Sequence, residues 1–148
     1  MKSEGQYQKL LDGSFRFISF RPRSEKEIRE YLHKKSTSLS EKITERLREL
    51  GYVDDVKFAQ WWIGARQGRK PKGKKLIMYE LLSKGVARDI IEQVLSSEIE
   101  NQEDLAKKAL QSKAKTIQDK KKLMDFLLRR GFDGSLARRV IDATVTKR

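Results

Sequence analysis

An internal repeat constrains this chain more than any other feature. Ile28, Leu32 and Lys35-Ser36 recur 49 residues later as Ile77, Leu81 and Lys84-Gly85, and 46 residues after that as Leu123, Leu127 and Arg130-Gly131. A second apolar pair follows each of these, Ile43 with Leu47, Ile90 with Val94, and Leu136 with Val140, with two extra residues in the first copy. Spacings of three and four also govern Leu11, Phe15 and Ile18, and Phe58, Trp62 and Ala65, while strand-like alternation is scarce. A period of this length indicates stacked helical units whose neighbours cover faces that one unit cannot bury alone. The expectation is an all-α protein of three tandem three-helix repeats, residues 1–52, 53–99 and 100–148, forming an elongated, curved helical array. No long heptad seam runs through it, so a monomer is expected.

Helix punctuation agrees with the repeat. Ser24 with Glu27 spells a capping box, Asp54 and Asp55 can cap the helix holding Phe58, and Gly85 and Gly131 each follow a helical run as carboxyl-terminal stops. Phe58, Trp62, Ile63, Leu81, Leu82, Ile90, Val94, Leu127 and Val140 are read as core. Trp61 stands apart, because Trp62 already holds the inward position four residues after Phe58. It either sits half-buried at a repeat interface or is an exposed aromatic available for stacking.

Composition excludes several classes of function. The 148 residues include no Cys, so a disulfide framework and thiolate metal sites are ruled out. His33 is the one histidine and, in the context YLHKK, reads as a helix-surface residue. Asp12, Asp54 and Asp55 lack a third acid or His at metal-binding spacing, and adjacent acids at a helix start are normally caps. Neither catalysis, a metal nor a cofactor is expected. No apolar run approaches a membrane span, and MKSEGQYQKLL lacks the apolar core of a signal peptide, so a cytoplasmic protein is expected.

Charge points to the partner. With 34 basic and 21 acidic residues the net charge is +13, a field that attracts polyanions by steering and by counterion release. From Arg66 to Lys75 there are six cations and no acid: Arg66, Arg69, Lys70, Lys72, Lys74 and Lys75. The two prolines, Pro22 and Pro71, are also 49 residues apart, and each sits between cations, Arg21 and Arg23 or Lys70 and Lys72. Both precede the second helix of a unit, where proline is tolerated. Cations there oppose the helix dipole at roughly 0.3 kcal/mol or more each, so an external anion explains them better than local stability does. The plain alternative is a solvated loop. A second basic region, Lys107 to Lys122, carries seven Lys, among them Lys120, Lys121 and Lys122, and occupies the corresponding place in the third unit. Arg129, Arg130, Arg138 and Arg139 extend the series towards a basic stripe along the repeats.

GYVDDVKFAQWWIGAR at 51–66 resembles the RecX signature of Gly-Tyr, an aliphatic, acids, then Phe-Ala and an aromatic-aliphatic pair before Arg. RPRSEKEIR at 21–29, KGKKLIMYELLSKGV at 72–86 and LMDFLLRRGF at 123–132 fall in the order of that family's corresponding segments, over about residues 8 to 143. The chain departs from the family pattern at Ser36, where Gly is usual, and in the Thr37–Ser40 linker. The resemblance implies three tandem three-helix units, without an active site, lying in the groove of the RecA filament on DNA. Such proteins restrain filament growth, strand exchange and ATP hydrolysis. Read with the charge pattern, Arg21, Arg23, Trp61, Arg66, Arg69, Lys70, Lys72, Lys74, Lys75, Lys120, Lys121, Lys122, Arg129, Arg130, Arg138 and Arg139 are the candidates to touch RecA or DNA, with weak, non-specific binding to single- and double-stranded DNA expected from Lys-rich connectors.

Two other readings of the residues stay open. Three-helix units can hold a helix-turn-helix, although VARDII and FDGSLARRV offer few base-reading side chains. An RNA-binding or structural repeat protein would use the same cations without RecA.

Overall fold

The structure, a computed structural model, describes residues 2–68, 70–98 and 101–146. Among the described residues every regular element is a helix: α1 (Lys2–Phe20), α2 (Glu25–Lys35), α3 (Thr37–Glu49), α4 (Asp55–Arg66), α5 (Lys74–Ser83), α6 (Arg88–Glu98), α7 (Gln102–Lys113), α8 (Lys120–Arg129) and α9 (Gly134–Thr146). No helix among them is long and apolar enough to cross a membrane.

Buried side chains fall into three separate clusters. Leu10, Leu11, Ile28, Leu32, Ile43, Leu47 and Val53 close the first, across α1, α2 and α3. Phe58, Ala59, Ile63, Ile77, Leu81, Val86, Ile91, Val94 and Leu95 close the second, across α4, α5 and α6. The third joins α7, α8 and α9 through Leu105, Leu110, Leu123, Leu127, Phe132, Val140 and Ile141, with alanines 106, 109, 114 and 137 between them. The molecule is a helical repeat array. Its accessible surface of 9482 Å² exceeds the roughly 7,800 Å² of a compact chain of this mass, as an extended arrangement of three small cores requires.

The glycine stops are real turns. Gly85 (φ 81°) and Gly131 (φ 94°) adopt the left-handed conformation, and the Val86 and Phe132 amides reach back to the Leu81 and Leu127 carbonyls at 3.1 Å. In the first unit Ser36 takes an extended conformation instead. It ends α2 and caps α3, its side chain accepting from the Leu39 amide, so the segment expected as a Thr37–Ser40 linker is the first turn of α3.

Three core expectations need correction. Leu82 is 43% exposed, and Trp62 and Ile90 are only partly buried. Each unit's second helix buries a narrow stripe, Ile77 with Leu81 in α5 and Leu123 with Leu127 in α8. Leu82, one residue on, is turned about 100° away from that stripe, and its repeat mate Leu128 is exposed in the same way. In α6 the buried set is Ile91, Val94 and Leu95, one register step beyond Ile90.

Candidate functional site

The three units meet end to end through their second helices. At the first junction the amino end of α2 abuts the carboxyl end of α5. Ser24 accepts from the Glu27 amide within its own helix and donates its hydroxyl to the Lys84 carbonyl at 2.7 Å. The Glu25 amide donates to the Asp55 carboxylate at 2.9 Å, so this acid caps the helix of the preceding unit, while Asp54 caps α4 itself. Burial, opposed by the Glu25 amide but reinforced by the Glu25 and Asp54 charges, pushes the Asp55 carboxyl above its ordinary value.

The second junction repeats this geometry with other chemistry. Gly73, the repeat mate of Ser24, donates its amide to the Arg130 carbonyl at 2.6 Å, and the Lys75 amide donates to the Gly131 carbonyl at 3.1 Å. The Lys74 amide donates to Gln102 Oε1 at 2.8 Å, just as Glu25 donates to Asp55. A Cβ on Gly73 would lie 2.4 Å from the Gly131 carbonyl carbon, so no side chain fits there. The amino end of α5, which has no side-chain cap of its own, is thus satisfied by the next unit. This changes the dipole argument: the carbonyl end of α8 faces the cations before α5 and offsets the field of α5.

The candidate cations divide by what they touch. Arg21 pairs with Glu27, and its guanidinium lies 5.8 Å from the Trp61 ring centre. Trp61, 38% exposed, leans on Phe58 and Trp62 beneath that guanidinium, so it lies partly exposed at the first junction. Arg23 donates to the Phe17 carbonyl at 3.1 Å and stacks on the Phe17 ring at 3.9 Å. Arg66 holds Glu80 through two bonds, at 2.8 and 3.0 Å, across the face of Trp62. Lys75 pairs with Asp133 at 3.5 Å and Lys120 with Asp142 at 3.2 Å.

Lys70, Lys72, Lys74, Lys121, Lys122, Arg129, Arg130, Arg138 and Arg139 have no ion pair among the described residues, and Arg69 lies outside them. Arg130 is half-buried, with its guanidinium 4.8 Å from the Phe126 ring centre. Lys120, Lys121 and Arg138 line one shallow recess with Met124, Ile141 and Asp142. That group stands at the amino end of α8, about 15 Å from Arg129 and Arg130 at its other end, so the third unit carries two basic groups.

Comparison with known proteins fits this arrangement. Family models described as the second and third three-helix domains of RecX match residues 54–95 and 97–141. The chain belongs to the RecX family. A protein named Regulatory protein RecX from Chlorobium phaeobacteroides is 36% identical over 140 residues, covering 91% of this chain and 93% of that protein. RecX from Oceanobacillus iheyensis is 37% identical over 134 residues and RecX from Listeria innocua 30% identical over 154. This chain spans about half the length of those two relatives, 49% and 57%. The crystal structure of RecX from Lactobacillus salivarius superposes with a TM-score of 0.77 over 98% of this chain and 99% of that one, at 19% identity, a likeness of fold.

The two RecX models take in the whole second junction, from α4 and Lys72 to Gly131. Residues 1–53, including Ser36, lie outside both. Sequence reasoning missed the junction residues Lys84 and Gln102 and gave Glu27 only a capping role. Part of the signal was present, because sliding the chain by 49 residues pairs Ser24 with Gly73 and Glu27 with Leu76, and a slide of 46 pairs Lys84 with Arg130.

Proposed function

We propose that this RecX chain is a non-enzymatic regulator of recombination and DNA repair that binds the RecA filament on DNA and restrains its assembly, ATP hydrolysis and strand exchange. The observation that carries the reading is the run of cations without ion pairs, most of them exposed, along an extended array whose homologues are named regulatory proteins. An array of stacked small units presents a long surface, which suits a helical groove better than a closed pocket. Phosphate contacts from Lys-rich connectors position a protein without reading sequence, so weak and non-specific DNA binding belongs to the same reading. The chain acts as a monomer within the cytoplasm.

The test is the variant with Arg69, Lys70, Lys72 and Lys74 all changed to Ala. Each lost attraction is worth about 0.5 to 1 kcal/mol, and four together about 2 to 4 kcal/mol. RecA-filament affinity should fall by roughly 30-fold to 1000-fold, with inhibition of strand exchange lost in parallel. Full binding and inhibition by a normally folded variant sinks the assignment of this loop. Tight preference of the parent chain for one duplex sequence, with no effect on RecA, would instead indicate a transcription regulator.

A further inference from the structure

We propose that the junction between the second and third units is a phosphate site for a nucleic-acid strand, built from Lys70, Lys72 and Arg130, and that Glu27 fills the corresponding site between the first two units with an internal anion. The proposal rests on the reading that this chain works on DNA and says which cations face it.

The two junctions align residue by residue. A shift of 49 residues maps Arg21 onto Lys70, Arg23 onto Lys72 and Glu27 onto Leu76, and a shift of 46 maps Lys84 onto Arg130. At the first junction the Glu27 carboxylate accepts from Arg21 and from the Ser24 amide at 3.0 Å, and Lys84 approaches it at 3.5 Å. Burial alone would raise its pKa, but the Ser24 amide, Arg21 and Lys84 together hold it below the usual carboxylate range. The cations of that junction therefore have their anion.

At the second junction the scaffold is kept and the anion is gone. The Lys72 amide donates to the Arg66 carbonyl at 2.9 Å and the Gly73 amide to Arg130 at 2.6 Å, which brings Lys72 and Arg130 together across the junction. Leu76, the repeat mate of Glu27, brings no charge to the junction and packs close to Gly131. Burial first, then the charges of Arg130 and Arg66, with Lys70 adding to them, make the Lys72 ammonium easier to deprotonate than usual. Glu80 opposes this, but it is already committed to Arg66 and to the Trp62 indole at 3.0 Å. The amino end of α5 takes no part, since its Lys74 and Lys75 amides are bonded to Gln102 and Gly131.

Phosphate suits the site better than a protein carboxylate does. One carboxylate at the first junction is satisfied by Arg21 and Lys84, with Arg23 turned onto Phe17. Here Lys70, Lys72 and Arg130 have no ion pair among the described residues, and two of them carry ammonium groups on flexible stems that can meet several oxygens of one tetrahedral anion. The net charge of +13 draws a polyanion to it.

The experiment is anisotropy titration of a fluorescein-labelled oligothymidylate over a salt series, with melting curves on the same preparations. The variants are Lys70→Ala with Lys72→Ala, and Leu76→Glu, which copies Glu27 into the second junction; Leu76→Gln is the neutral control. The first two should bind about five- to tenfold more weakly, with the log–log salt slope reduced by about 0.7, one phosphate on a single strand, while Leu76→Gln binds as the parent does. Glu27→Gln should bind more tightly, because it opens the first junction. Parental affinity and slope in the folded Lys70/Lys72 variant overturn the proposal, as does a parent that binds no DNA. Equal, equally sensitive binding of poly-glutamate would assign the site to protein carboxylates and overturn it too. Should Leu76→Glu fail to fold, the Lys70/Lys72 variant decides. RecA inhibition is measured separately: DNA losses as described, with no effect of the parent on RecA, keep the site and discard the RecA reading.

Discussion

The Gly73 amide and the Arg130 carbonyl meet at 2.6 Å, joining the start of one second helix to the end of the next. The contact leaves no room for a side chain, since a Cβ on Gly73 would fall 2.4 Å from Gly131 backbone atoms. Gly73→Ala should therefore destabilise the chain by about 1 to 3 kcal/mol through a backbone shift. Gly131→Ala should cost as much, because it meets Leu76 and forces a positive φ on a side chain. Gly64→Ala, in open space within α4, should stabilise by about 0.5 to 1 kcal/mol. Urea unfolding of the three variants checks the order.

Glu27 and Asp55 face the same junction and should respond to pH in opposite senses. Glu27 has a depressed pKa in the folded state, so its ionised form contributes stability above the unfolded value, and this is lost as pH falls through the folded one. Glu27→Gln should destabilise at pH 7 and converge with the parent in acid. Asp55 has a raised pKa, so its ionisation at neutral pH costs stability. Asp55→Asn, which keeps an oxygen for the Glu25 amide, should be more stable at pH 7 and lose that advantage in acid. Melting temperatures from pH 7 downwards test both; parallel curves for the two variants would contradict the assignment.

Lys72 should trade stability for binding. Its ammonium is disfavoured by burial and by Arg130 and Arg66, so its charge costs stability at neutral pH and the cost fades as pH rises through its lowered pKa. Lys72→Met should melt above the parent at pH 7 while binding oligothymidylate less well. A variant that melts lower shows that the cation is structural.

Small-angle scattering should show an elongated monomer of 17.3 kDa, because three separate clusters share no common core. A compact profile would contradict the end-to-end arrangement of units.

The repeat, the capping box at Ser24 and the glycine turns at 85 and 131 were legible in sequence because each is local: a spacing or a single backbone conformation. Burial of neighbouring apolar residues was less so. Leu81 and Leu82, or Ile90 and Ile91, satisfy the same spacing rule, and only the facing helices choose between them. The dipole of α5 is not that of a solitary helix, because the end of α8 supplies carbonyls to it from 56 and 57 residues away, beyond the reach of any local pattern. The part played by Glu27 was hidden for a like reason. Its partner Lys84 is 57 positions distant, and its significance lies in a leucine at 76.

The two junctions differ in stiffness as well as in charge. At the second, backbone bonds from Gly73 and Lys75 and the close approach of Gly73 to Gly131 hold the helices directly, with Gln102 the one side chain described as bridging to α5 by a hydrogen bond. At the first, the Ser24 hydroxyl, the Asp55 carboxylate and the Glu27 ion pairs all act through side chains that can swing by a rotamer without breaking a helix. Bending of the array under load should therefore be easier between the first and second units than between the second and third.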